Sequence, residues 1–158
     1  MKLRQGCRLG WLILPVIAID RLCKRAATAA LAPAGVRTAI PGALSWAYTE
    51  NSGTAFSMLS DRAPWLLIAL TATLILGIVI YLLTPPDEPA LARAGLWLIA
   101  GGGLGNLWDR FMYGCVIDFI RLDFVHFAVF NPADIFVCTG AGLVVLSVIL
   151  TEWRKAHV

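Results

Sequence analysis

The sequence predicts an all-α membrane protein, a four-transmembrane-helix bundle with a small periplasmic β-hairpin or sheet between helices one and two. Of its 158 residues, 59% are hydrophobic and only 15% are charged, whereas about 25% of the residues of a soluble domain are charged. The mean hydropathy is +0.76. A helix needs about 20 mainly apolar residues to cross the hydrocarbon core, and segments close to that length recur along the chain. We therefore expect a single integral-membrane domain over residues 1–158.

The four expected spans differ in how apolar they are. The second, residues 63–84, carries no charge and is followed by the proline-rich TPPDEP, which cannot continue a helix. The others cover residues 9–30, 91–109 and 132–151, and each has polar side chains at one end. The N-terminal region also has the features of a secretory signal peptide. Asp20 and Lys24, however, separate its apolar stretch from the small residues that follow, so we expect a retained first helix.

Four spans place the polar ends on one face of the membrane and both termini on the other. The joining segments on the polar face are residues 31–62 and 110–131, which contain most of the acidic and amide side chains. The two tails are basic, which is typical of cytoplasmic ends. We therefore expect both termini to be cytoplasmic and the polar face to lie on the opposite side of the membrane. Within the first joining segment, ALSWAYTENSGTAFSML alternates around a turn-like ENSG and predicts the hairpin.

Several chemistries find no support in the sequence. The net charge of +3 is modest and indicates no nucleic-acid partner. The four cysteines show no metal-binding spacing, there is no HExxH or GxSxG motif, and His126 and His157 are the only imidazoles. We expect no metal and no cofactor. A disulfide between Cys23 and Cys115 stays open.

Carboxylates remain as the candidate catalytic groups. Asp118 lies in CVIDFI among apolar neighbours, which raises the pKa of a carboxyl by desolvation. In FNPADIF, Asn131 can cap a helix, Pro132 fits its first position and Asp134 falls in its first turn. Two such carboxyls can share a proton and activate water. Asp118 and Asp134 are therefore the predicted catalytic pair.

The other intramembrane polar residues favour structural roles. Asn106 and Asp109 end the third span after a run of glycines, and Arg110 stands beside Asp109 as its expected partner. Asp20 and Lys24 are spaced i, i+4 and predict an ion pair. Polar residues in spans also occur in small proton- or ion-coupled carriers, which remain an alternative, as does a structural assembly factor.

The ordered motifs resemble those of one family, the bacterial lipoprotein signal peptidases (signal peptidase II). The resemblance spans the whole chain, and no single motif is specific without the others. The matching motifs are DRLCK (Asp20, Lys24), NSGTAF (Asn51, Gly53, Ala55, Phe56), GGLGNLWDR (Asn106, Asp109, Arg110), VIDFI (Asp118) and FNPAD (Asn131, Ala133, Asp134). Pro132, Arg21 and Cys23 fill positions that we expect to vary, so no functional side chain is missing.

The resemblance implies an aspartyl endopeptidase of the bacterial inner membrane, with its active site on the periplasmic side. It would cleave a prolipoprotein N-terminal to its diacylglyceryl-modified cysteine, with membrane lipids around it, without cofactor, as a monomer, and with sensitivity to globomycin. Asp118 and Asp134 would form the catalytic dyad. The residues implied to position the substrate and the dyad are Asn51, Gly53, Asn106, Arg110, Asn131, Ala133, Asp109, Asp20 and Lys24.

Overall fold

The structure, a computed structural model, describes residues 7–53, 64–83 and 89–157. Most of this chain is helical, and its strands form one three-stranded antiparallel sheet. After a short 3-10 segment at Cys7–Leu12, the helices are α1 (Ile13–Leu31), α2 (Pro64–Leu83), α3 (Ala90–Tyr113) and α4 (Pro132–His157). The strands are β1 (Val36–Ile40), β2 (Leu44–Asn51) and β3 (Val116–Leu122).

Two helices within the described ranges are long and apolar enough to cross a membrane, Trp65–Leu83 and Pro132–His157. Both expose large apolar side chains, such as Leu70 at 66% and Ile149 at 58%, as expected of surfaces that face lipid. Helices α1 and α3 lie where the first and third spans were predicted, but both bury charged side chains: Asp20 and Lys24 on α1, and Arg93 and Asp109 on α3.

Helix α3 contacts all three other helices and packs most extensively on α4. The two backbones approach closely at glycines: a Cβ on Gly95 would lie 2.5 Å from the Gly140 carbonyl oxygen, and one on Gly102 would collide with the Ala133 carbonyl. Small residues permit this approach, and a larger side chain would force the helices apart. The contact sets the C-terminal part of α3 against the first turn of α4.

The sheet has the order β1-β2-β3. The turn between β1 and β2 lies at residues 41–43, with Gly42 at a φ of +73°, whereas the second strand of the hairpin predicted around ENSG falls outside the described residues. ENSG instead ends β2, which pairs along its length with β3, a strand from the second joining segment. Ala55 and Phe56 of the predicted motif lie outside the described residues.

The start of α4 is attached to the sheet by a single residue. Phe130 forms an isolated antiparallel bridge with Ile120, in which the N–H of Ile120 donates to the Phe130 carbonyl at 2.8 Å and the N–H of Phe130 donates back at 3.0 Å. Because the next residue is Asn131, this bridge brings the cap of α4 beside strand β3.

Candidate active site

Asp118 lies in the middle of β3 and is only 2% exposed. Burial raises the pKa of its carboxyl, and the two amides described below oppose that shift. Its partner across the ladder is Thr49, so Asn51 is a diagonal neighbour, and Asn51 Nδ2 donates to Asp118 Oδ2 at 2.9 Å. Gly53, at a φ of +101°, donates its N–H to Asn51 Oδ1 at 2.9 Å. This bond turns the amide NH₂ of Asn51 toward Asp118.

Asp134 and Asn131 cap α4 reciprocally. The N–H of Asp134 donates to Asn131 Oδ1 at 3.1 Å, and the N–H of Asn131 donates to Asp134 Oδ2 at 3.1 Å. This is the capping-box arrangement, and it confirms the predicted cap. The half-buried carboxylate of Asp134 lies in the first turn, where the helix macrodipole stabilises negative charge.

Two buried amides link the carboxyls. Asn131 Nδ2 donates to Asp118 Oδ1 at 2.5 Å and to Asn106 Oδ1 at 3.1 Å. Asn106 Nδ2 in turn donates to Asp134 Oδ1 at 2.7 Å. Each carboxyl therefore accepts two N–H groups, which fix its orientation, and the amides form a continuous bridge between Asp118 and Asp134.

A buried ion cluster holds the Asn106 amide in this orientation. Lys24 Nζ lies 2.9 Å from Asp20 and 2.7 Å from Asp109, and it donates to Asn106 Oδ1 at 2.8 Å. A lysine ammonium can only donate hydrogen bonds, so the Asn106 oxygen must face Lys24 and its NH₂ must face Asp134. The predicted Asp20–Lys24 ion pair is confirmed. Arg21 completes the cluster by contacting Asp20 at 2.8 Å and Asp109 at 2.5 Å.

Arg110 does not pair with Asp109, contrary to the prediction. Consecutive residues of a helix point in different directions, so Asp109 forms its ion pairs with Lys24 and Arg21. Arg110 interacts electrostatically with Asp134 and Asp118, and less strongly with Asp109. The Arg110 Nε is buried, and it has no hydrogen-bond partner within the described ranges.

The two carboxyls open onto the same cavity, which has a volume of about 410 Å³. Asn51 contributes a further polar group to it, and the remaining wall is mostly apolar. That wall comes from the segment before α4 and from its first two turns: Phe127, Ala128, Val129, Phe130, Ile135, Cys138 and Thr139. No group of three or more His, Cys, Asp or Glu side chains suited to a metal occurs in the described part of the chain.

The remaining predicted residues lie around this site or apart from it. Ala133 is fully buried, and its carbonyl and Cβ pack against glycines of α3. Cys23 and Cys115 are free thiols, so they form no disulfide here. Asp123 pairs with Arg121 at 2.9 Å and lies apart from the dyad cavity.

Sequence reasoning missed two contributors to the site. Arg21 was expected to vary, yet its guanidinium completes the ion cluster; its position one residue after Asp20, at the polar end of the first span, was the available signal. Phe130 acts through its backbone, and nothing in its side chain indicates that role.

Comparison with known proteins agrees with this geometry. The family model described as Signal peptidase (SPase) II matches residues 12–150. This chain belongs to the signal peptidase II family. The lipoprotein signal peptidases of Streptococcus pyogenes serotypes M6 and M5 are each 39% identical to it over 131 residues, which cover 83% of this chain and 86% of theirs.

Solved structures share the fold of this signal peptidase II family member. A bacterial membrane enzyme solved by the in meso method at 2.3 Å resolution matches with a TM-score of 0.82 and 23% identity, over 92% of this chain and 90% of that one. A second, at 1.9 Å resolution, matches with a TM-score of 0.78 and 25% identity, over 88% of this chain and 91% of that one.

Proposed function

We propose that this chain is a membrane aspartyl endopeptidase that cleaves prolipoproteins N-terminal to their diacylglyceryl-modified cysteine. Its family membership makes it a protease that removes signal peptides from prolipoproteins. The observation that carries the aspartyl mechanism is the cavity onto which both Asp118 and Asp134 open. Two carboxyls in one cavity can divide the acid and base roles of peptide hydrolysis between them.

The surroundings of the two carboxyls favour a division of roles. Burial raises the pKa of Asp118, so this carboxyl retains a proton at higher pH than a free aspartate. Asp134 lies at the head of a helix, where negative charge is stabilised. We therefore propose Asp118 as the acid and Asp134 as the base of the reaction.

The reaction follows from these protonation states. Asp134 takes a proton from water as the water oxygen attacks the scissile carbonyl carbon, and Asp118 gives its proton to the carbonyl oxygen. The resulting gem-diol then collapses. Asp134 passes its proton to the leaving nitrogen as the C–N bond breaks, and Asp118 recovers a proton from a diol hydroxyl. Both carboxyls return to their starting states.

The surrounding polar residues position these groups. Asn51 and Asn131 orient Asp118, while Asn106 orients Asp134 and is itself held by Lys24. The Arg110 guanidinium, which interacts electrostatically with Asp134 and Asp118, is suited to a backbone carbonyl of the substrate. Gly53, Ala133, Asp109 and Asp20 act through the backbone, packing and ion-pair contacts described above.

The proposed placement in the membrane uses all four long helices as spans. The ion cluster between α1 and α3 sets two cations against two carboxylates, which favours the presence of these helices in a bilayer. The dyad and the sheet then lie together at one membrane surface, the periplasmic one, with both termini cytoplasmic. A lipidated cysteine would hold the cleavage site at that depth.

Incubation of the purified protein with a diacylglyceryl-modified precursor tests the proposal. We expect a product that begins at the lipidated cysteine, inhibition by globomycin, full activity in the presence of chelator, and activity as a monomer. An unmodified precursor with the same sequence is the substrate control. Failure to cleave the modified precursor, with the protein folded, would contradict the proposal and leave an assembly factor or a carrier.

A further inference from the structure

A second cavity, also of about 410 Å³, is bounded by α1, β2 and the C-terminal end of α3, and it contains neither dyad carboxyl. Its polar lining includes Arg21, Lys24, Arg25 and Glu50, and its aromatic lining includes Tyr48, Trp108 and Tyr113. The proposed reaction does not use this cavity.

The charges around this cavity are not all neutralised by the protein. Arg21 and Lys24 are balanced by the carboxylates of the ion cluster. Arg25 is exposed and makes no hydrogen bond or ion pair to any residue in the described ranges. Glu50 is exposed and accepts one hydrogen bond, from the Tyr48 hydroxyl at 2.9 Å. The cavity thus offers one free cation and one carboxylate with remaining acceptor capacity.

The neighbouring side chains indicate that the cavity lies at the level of lipid headgroups. Leu22, one turn before Arg25 on α1, is 66% exposed, as suits a side chain in hydrocarbon. Trp108 and Tyr113, at the end of α3, are 52% and 58% exposed. Indole and phenol rings collect at the boundary between acyl chains and headgroups, so the apolar surface gives way to polar groups here.

We propose that this cavity binds the headgroup of a phospholipid that carries both a phosphate and a primary ammonium, with the phosphate on Arg25 and the ammonium on Glu50. A guanidinium matches phosphate oxygens in a bidentate geometry. A primary ammonium can donate to the Glu50 carboxylate, whereas a choline headgroup has no N–H and an anionic headgroup has no cation. The inference rests on the proposed placement of this end of the bundle at the bilayer surface.

The experiment compares the retention of three lipids by the full chain purified in detergent. Dioleoyl phosphatidylethanolamine, phosphatidylcholine and phosphatidylglycerol are added at equal concentration, and bound lipid is measured by native mass spectrometry. We expect phosphatidylethanolamine to be retained about fivefold better than the other two, the effect of one exposed ion pair at the upper end of its range. Glu50→Gln should abolish this preference, whereas Arg25→Gln should lower the retention of all three lipids, because each of them carries a phosphate.

Matched controls use charges of the same kind outside the cavity. Arg37, exposed on β1, and Glu152, exposed on α4, do not line it, so Arg37→Gln and Glu152→Gln should keep the preference. Equal retention of all three lipids, or a preference for phosphatidylglycerol, would overturn the assignment. Precursor cleavage in phospholipid-free detergent, measured on the same Arg25→Gln and Glu50→Gln proteins, should be unchanged. The lipid site and the peptidase activity can therefore fail independently.

Discussion

Replacing Lys24 by Met tests whether the buried ion cluster holds the site together. Lys24 is 1% exposed and lies between Asp20 and Asp109, which are both fully buried. The substitution keeps much of the side chain's volume but removes its charge. Two buried carboxylates then share one cation, Arg21, and Asn106 loses the donor that fixes its amide.

The structure sets the size of this effect. Removing one partner from a buried ion pair destabilises a protein by about 3–5 kcal/mol, because a charge remains buried without compensation. Solvent screening gives little relief, since the side chains of Lys24, Asp20 and Asp109 are at most 2% exposed. For a chain of this size, that cost corresponds to a fall in Tm of about 6–20 °C.

The assay is thermal unfolding of the detergent-solubilised variant, followed by circular dichroism. A second variant, Lys24→Met with Asp109→Asn, restores neutrality and should recover at least half of the lost Tm. Lys155→Met is the control, because its ion pair with Glu152 is about two-thirds exposed, and it should change Tm by no more than about 2 °C. A Lys24→Met protein as stable as the parent, or a double variant less stable than Lys24→Met, would refute the reasoning.

Two further predictions concern the pH profile and the helix contact. Asn51→Leu removes an N–H donor that stabilises ionised Asp118, so the pKa of Asp118 should rise further. The alkaline limb of the pH profile of kcat/KM should then move to higher pH. A limb that stays in place or moves to lower pH would contradict this prediction. Gly95→Ala forces a Cβ against the Gly140 carbonyl and should lower Tm by several degrees. The Cβ added by Gly77→Ala meets no atom within 4 Å, so this variant should leave Tm unchanged or raise it. Equal Tm values for these two variants would argue against the close packing of α3 and α4.

The meeting of Asp118 and Asp134 could be predicted because topology alone constrains it. The end of one span and the start of the next must lie on the same face of the membrane. Asn131 and Asp134 also carry a local capping signal, which needs no tertiary information. The structure brings both carboxyls to one cavity, as that reasoning requires. Their roles in catalysis remain a proposal until the variants below are assayed.

The features that could not be predicted all depend on the direction of a side chain or on backbone pairing between segments that are distant in the sequence. Asp109 and Arg110 are neighbours in sequence, but on a helix they point to different partners. The pairing of β2 with β3, a strand from a distant segment, was not predicted, because such pairing does not show in the local alternation of residues. The Phe130 bridge is made by backbone groups, which every residue type except proline carries equally.

The measurement that tests the central claim most directly is the single-turnover rate of cleavage of a diacylglyceryl-modified precursor by Asp118→Asn, Asp134→Asn and Asp123→Asn. Asparagine preserves shape but cannot accept or return the proton, so each dyad variant should lose at least about 10²–10⁴-fold in rate. Asp123 contacts Arg121 and Ser45 and does not line the dyad cavity, so its variant should cleave at the parental rate. Parental activity in a folded Asp118→Asn or Asp134→Asn protein would contradict the dyad.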